Sequence, residues 1–188
     1  MHPRLLATAG LAALLAACAS APARFHTLEP VAPASAPGPR ALAVPVQLDS
    51  VTVPPELDRP QIVRRAGPGR LDLADDDRWA GALDELARAA LGADLVLRLP
   101  PGATVRPDDP APPRSLHKID VVIERFEASL GGPVSLVADW TLLGDGPDRA
   151  LARHQERIEV PVGGDIDGTV TAMSAALGVL ADRIAAQI

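Results

Sequence analysis

The chain has 188 residues, with 18 Lys and Arg against 24 Asp and Glu, a net charge of −6 and one cysteine. An acidic balance argues against nucleic acid or an anionic membrane surface as partner, and a single cysteine excludes a disulfide within the chain. The length suffices for one domain with its own core, which packing has to hold together.

Arg4 is followed by an apolar run from Leu5 to Ala17, and small residues lead up to Cys18. A positive start, a short apolar stretch and a small-residue cut site make a secretory signal. With Leu15-Ala16-Ala17-Cys18 at the cut, the pattern is that of a bacterial lipoprotein: signal peptidase II cleaves before the cysteine, residues 1–17 leave as signal peptide, and Cys18 carries acyl chains. The apolar run is too short to span a bilayer, which takes about 20 residues. Ala19 and Ser20 follow Cys18 with no Asp beside it, so in an envelope of two membranes the expected destination is the outer membrane, on its periplasmic face. One acyl chain anchors weakly, at about 0.8 kcal/mol per buried methylene, so multiple chains, palmitate among them, are expected.

Pro22, Pro30, Pro33, Pro37 and Pro39 interleave with Ala, Ser and Gly. Proline at that density lacks amide donors and keeps the chain extended. Residues 18–40 therefore read as lipidated N-terminus and tether, and residues 41–188 as the domain. Inside the tether Phe25-His26-Thr27-Leu28 is an apolar island, either a first edge strand or a docking segment.

From Ala41 the apolar period is two, through Leu42, Val44, Val46 and Leu48, then shifts phase at Asp49-Ser50 to Val51 and Val53; such a shift predicts a bulge. Pro54-Pro55 ends that strand, Gln61 to Arg65 forms another, and Gly67-Pro68-Gly69 turns the chain. Asp75-Asp76-Asp77 reads as the cap of a first helix, whose stripe is Trp79, Leu83, Leu86, Ala87, Ala90 and Leu91. Gly92 reads as its stop and Leu95 to Leu99 as a brief strand. After a proline- and aspartate-rich loop from Thr104 to Arg114, a strand carries Ile119, Val121 and Ile123, then Phe126, Ala128 and Leu130 in the other parity. Gly131-Gly132 turns it into the clearest strand of the chain, with Val134, Leu136, Ala138, Trp140 and Leu142 on one face. Gly144 to Pro147 leads into a third strand from Leu151 to Val162. A closing helix begins at Asp165 to Gly168 and buries Val170, Met173, Leu177, Leu180, Ala181, Ile184 and Ile188. Together these predict an α+β domain, an antiparallel sheet with two amphipathic helices packed on one face.

A search for chemistry finds little. His26, His117 and His154 are scattered, and neither the paired Cys nor the clustered His of a zinc site occurs. There is no Gly-x-Ser-x-Gly elbow, Walker loop or dinucleotide fingerprint. Asp120, Glu124 and Asp139 sit at alternating strand positions and read as a solvated face, and Trp79 and Trp140 as core. No enzyme activity, cofactor or metal is expected.

Several segments together resemble one family. They are Phe25-His26-Thr27-Leu28, where the family favours a Tyr-Tyr-x-Leu-like run; Val53-Pro54-Pro55-Glu56-Leu57-Asp58-Arg59-Pro60-Gln61-Ile62-Val63; Arg78-Trp79-Ala80; Phe126 with Trp140; and the alanine-rich last helix. In that order they resemble the ABC-type transport auxiliary lipoproteins, the PqiC-like outer-membrane lipoproteins of paraquat-inducible MCE systems. The resemblance implies a non-enzymatic partner of a periplasmic MCE-domain protein and its ABC or membrane components, assisting intermembrane lipid transport. Phe25, Leu28, Leu57, Asp58 and Arg59 are the candidate partner interface. A structural or assembly lipoprotein of the envelope, without direct lipid handling, is the alternative. Substrate and oligomeric state, homo-oligomers included, stay open at this level.

Overall fold

The computed structural model describes residues 22–33, 42–110, 113–144, 146 and 149–188. Cys18, the signal peptide and most of the expected tether lie outside the described residues, as does much of the turn after Gly144. The described chain runs β1 (Arg24–His26), β2 (Val46–Thr52), β3 (Gln61–Gly67), β4 (Arg70–Trp79), α1 (Leu83–Arg98), β5 (His117–Ser129), β6 (Val134–Leu143), β7 (Ala150–Val160) and α2 (Ile166–Gln187).

The α+β class holds, but the sheet is mixed. Its order is β1-β4-β3-β5-β6-β7, with β2 also paired to β5. Hairpins make β3–β4, β5–β6 and β6–β7 antiparallel, whereas β1–β4, β2–β5 and β3–β5 are parallel. Local turn signals predict only hairpins; the parallel pairings join strands far apart in sequence, whose order period-two patterning does not encode.

The hairpin elements follow their sequence signals. Gly69 and Gly131 occupy the left-handed region, at φ 66° and 70°, which only glycine enters without strain. The phase shift at Asp49 is a register shift between Leu48 and Ser50, and the parity change in β5 is another between Ile123 and Arg125. Val134, Leu136, Ala138, Trp140 and Leu142 are buried while the residues between them are half-buried. α2 starts where Asp165 Oδ1 accepts from the Gly168 amide at 2.7 Å, satisfying one of the free donors of a first turn. It is long and apolar enough to cross a membrane, yet 61% of its most apolar stretch is buried, because it is the core helix lying on the sheet.

Three local expectations are corrected. Asp75-Asp76-Asp77 caps no helix: β3 and β4 stay paired as far as Gln61 and Arg78, so the triplet is strand. Tertiary partners override its propensity, because Asp77 is buried and neutralised from β1. The first-turn carboxylates of α1 are instead Asp84 and Glu85. Trp79 is buried at the end of β4 rather than on a helix stripe. Gly92 does not stop α1, and Leu95 to Arg98 is helix rather than strand. Leu91 and Leu95 keep the i, i+4 stripe buried, and the Asp94–Arg98 pair spans the same interval, which offsets the roughly 1 kcal/mol that a mid-helix glycine costs.

The expected tether also belongs partly to the fold. Of the two readings left open for the apolar island, the edge strand is the observed one: Arg24, Phe25 and His26 pair in parallel with Asp77, Arg78 and Trp79.

Candidate functional site

The N-terminal segment is fastened to the body by two buried carboxylates. Asp77 accepts two hydrogen bonds from Arg24, from Nε at 2.8 Å and Nη2 at 2.7 Å. His26 Nε2 stands 2.7 Å from the same carboxylate, and an ionised carboxylate only accepts, so this nitrogen carries the proton. The bidentate Arg24 contact, with His26 adding to it, holds the Asp77 carboxyl below the usual carboxylate range against the opposing effect of burial.

Past β1, Leu28 enters the core and Val31 reaches a second clamp. Its amide donates to Asp94 Oδ1 at 2.8 Å, and its carbonyl accepts from Arg98 Nη1 at 2.9 Å. Arg98 also binds Asp94 Oδ1 at 2.9 Å and, through Nε, Asp182 of α2 at 2.6 Å. Burial pushes the Asp94 carboxyl up despite the Val31 and Arg98 hydrogen bonds. A Cβ at Gly178 would lie 3.2 Å from both Arg98 Nη2 and Val31 Cβ, so glycine lets the segment approach α2.

Depressed Asp77 gives a pH prediction. A carboxyl with a lowered folded pKa contributes stability above its unfolded value, about 3.9, and that contribution is lost as pH falls through the lower folded value. Thermal melts of wild type and Asp77→Asn between pH 2 and 7 should therefore differ most near neutrality and converge in acid. A constant difference across that range would contradict the assignment.

Of the expected interface residues, Phe25 is 67% exposed, but Leu28 and Leu57 are 5% and 1% exposed and belong to the core. Leu57 sits in a tight turn, its amide donating to the Pro54 carbonyl at 2.9 Å, and its side chain points in among Val63, Trp79, Leu83, Phe126 and Met173. It anchors the turn whose exposed tip is Asp58-Arg59; no ion pair joins those two among the described residues. β4 brings the two exposed pieces together. Arg78 pairs with Phe25 on one side and Gln61 on the other, and the Trp79 amide donates to the Pro60 carbonyl at 2.7 Å. Two strand spacings, roughly 10 Å, separate Phe25 from the start of β3 beside Arg59. The result is one sheet corner with an exposed aromatic and charges that have no ion-pair partner among the described residues, held from beneath by Leu28, Leu57 and Trp79.

Sequence reasoning missed Asp77, Asp94 and Arg98. A signal existed for the last two: charged residues at i, i+4 beside the stripe of Leu91 and Leu95 belong to the buried side of α1. His154, one of the scattered histidines, stacks on Trp140 at 4.6 Å between ring centroids. Among the described residues no group of three His, Cys, Asp or Glu is placed to hold a metal.

The described chain is an α+β domain whose mixed sheet carries one exposed corner. The chain belongs to the family of ABC-type transport auxiliary lipoprotein components, whose model matches residues 26–185. The match begins at His26, the last residue of β1. No curated protein matches the sequence. Among solved structures, an uncharacterized protein superposes with a TM-score of 0.73 at 20% identity, over 89% of this chain and 99% of its own. A Xanthomonas campestris protein of the DUF330 family superposes with a TM-score of 0.70 at 16% identity, over 87% and 93%. At these identities the likeness is one of fold. The family sets the coarse role, a membrane-anchored auxiliary lipoprotein of an ABC-type transport system.

Proposed function

We propose that this chain is a non-enzymatic lipoprotein, acylated at Cys18, held at the periplasmic face of the outer membrane, and docked on the MCE-domain component of an intermembrane lipid transport system. The observation that carries the docking part is the convergence of Phe25 with Asp58-Arg59 at one sheet corner. An exposed aromatic beside charges on a firmly packed base is the composition of an interface core and rim. Leu28 and Leu57 serve this surface as buried anchors rather than contacts. The absence of Asp after Cys18 supports outward sorting.

One experiment tests both halves. Wild type should take up labelled palmitate, co-sediment with outer-membrane markers and capture an MCE-domain protein from the same cells. Cys18→Ala should lose the label. Arg59→Glu and Phe25→Ala should weaken capture several-fold with unchanged melting temperature, since both positions are exposed. Full capture by the double variant would remove the docking surface from this corner, and sedimentation with inner-membrane markers would remove the sorting argument.

A further inference from the structure

A groove of about 740 Å³ lies between α1 and the loop at residues 104–108, with Pro30 of the clamped segment also in its lining. Its size falls within the range of small-ligand sites, about 300–1,000 Å³. Val46, Leu48 and Leu95 form the floor, and the small residues Ala89, Gly92 and Ala93 leave the space open along the helix. Val96 and Leu97 line its far end while 55% and 43% exposed, an apolar surface that a soluble face ordinarily covers. The groove also has a polar end. Half-buried Arg88 has no ion-pair partner among the described residues, and on the opposite wall Arg106 makes an exposed contact at 3.4 Å to Asp108, which also lines the groove.

The backbone around the groove narrows the choice of occupant. An extended peptide would add to a free strand edge, and at the Val46 end of the groove that edge is taken: the Val46 amide donates to Ala103 and its carbonyl accepts from Val105, both at 2.8 Å. An occupant without hydrogen-bond demands along its length fits such a lining. From Arg88 to Val96 the helix rises about 12 Å, so a single apolar chain can lie along it with an anionic end at Arg88. The net charge of −6 disfavours a flat anionic surface, but it does not prevent one anionic group from meeting a locally unpaired guanidinium.

We propose that this groove binds an acyl chain of an anionic phospholipid, with Arg88, helped by Arg106, at the phosphate end. This goes beyond docking on a partner, which requires no contact between the domain and lipid.

The test uses the full lipoprotein reconstituted in radiolabelled vesicles of phosphatidylcholine with or without phosphatidylglycerol, with p-benzoylphenylalanine placed at Val96 or, as a control, at the equally exposed Val122 of β5. Photolysis should label the Val96 protein several-fold more than the Val122 protein. Gly92→Leu should abolish that excess: a Cβ at Gly92 sits an ordinary 3.8 Å from Leu48 Cδ2, leucine favours the helix over glycine, and the longer side chain fills the groove. Ala93→Phe serves as a second block should Gly92→Leu melt early. Arg88→Glu should reduce labelling by phosphatidylglycerol several-fold and by phosphatidylcholine little. Equal labelling at Val96 and Val122, excess labelling that survives both blocking variants, no lipid selectivity for Arg88, or cross-links to protein in place of lipid would each overturn the proposal. Partner capture through Phe25 and Arg59 should be unaffected by any groove variant, so the two readings can fail separately.

Discussion

Arg98→Ala is expected to destabilise the protein by about 3–5 kcal/mol, the usual cost of removing one partner from a buried ion pair. Asp94 is fully buried and Arg98 nearly so. Without the guanidinium, Asp94 keeps only the Val31 amide as partner, the Val31 carbonyl loses its donor, and the link from α1 to Asp182 of α2 is lost. The deficit should depend on pH in a defined direction. Burial already raises the Asp94 carboxyl, and Arg98 is one of the influences holding it down. A group whose folded pKa is raised folds best in its protonated form, and that advantage is lost as pH rises through the folded value. Denaturant melts of Arg98→Ala should thus show a smaller deficit at pH 5 than at pH 8. Replacing Asp94 and Arg98 together by leucine should cost less than the sum of the single losses, because neither charge is then stranded. Additive losses in that cycle would mean that the two residues act separately.

Trp140→Ala should cost a similar amount, about 3–5 kcal/mol, through the cavity it leaves. The ring is fully buried in the middle of β6 and stacks on His154 of β7, its register partner. Asp139→Ala, one residue away and on the opposite face of the sheet, should change stability by less than about 0.5 kcal/mol, as surface substitutions do. Equal losses for the two variants in denaturant melts would overturn the register of β6. His154→Ala should lie between them, because it removes the stacking ring and leaves the tryptophan in place.

The features legible in the sequence were those with local causes. The β5–β6–β7 meander, both bulges and the start of α2 follow from alternation, glycine turns and one capping aspartate. Burial of Trp79 was legible too, but its element was not: Arg78-Trp79 fits a helix stripe as well as a strand end, and the choice is made by β3 and β1 pairing with β4 on either side. The acidic triplet misled for the same reason. Asp77 looks like its neighbours until Arg24, over 50 positions earlier, is placed against it. In the candidate corner, exposure of Asp58 and Arg59 could be read from their charge, whereas Phe25 and Leu28 stand in one apolar island that only the fold divides into exposed and buried, and burial of Leu57 could not be read at all. A leucine inside a short proline-flanked turn has no periodic partners to reveal which way it points. The groove beside α1 was hidden by the reading of Gly92 as a helix stop, which removed the wall that forms it.

The position of β1 sets how far the body can stray from its anchor. If acyl chains hold Cys18 in the bilayer, only Ala19 to Ala23 separate the lipid from the sheet, and six residue steps at about 3.3–3.6 Å each give a leash of about 20 Å at full stretch. That is shorter than a small domain is wide, so the domain would ride at the membrane surface and could not swing out into the periplasm. Any partner based on the opposite membrane would then have to supply the whole span itself, and this lipoprotein would mark the point where that span lands.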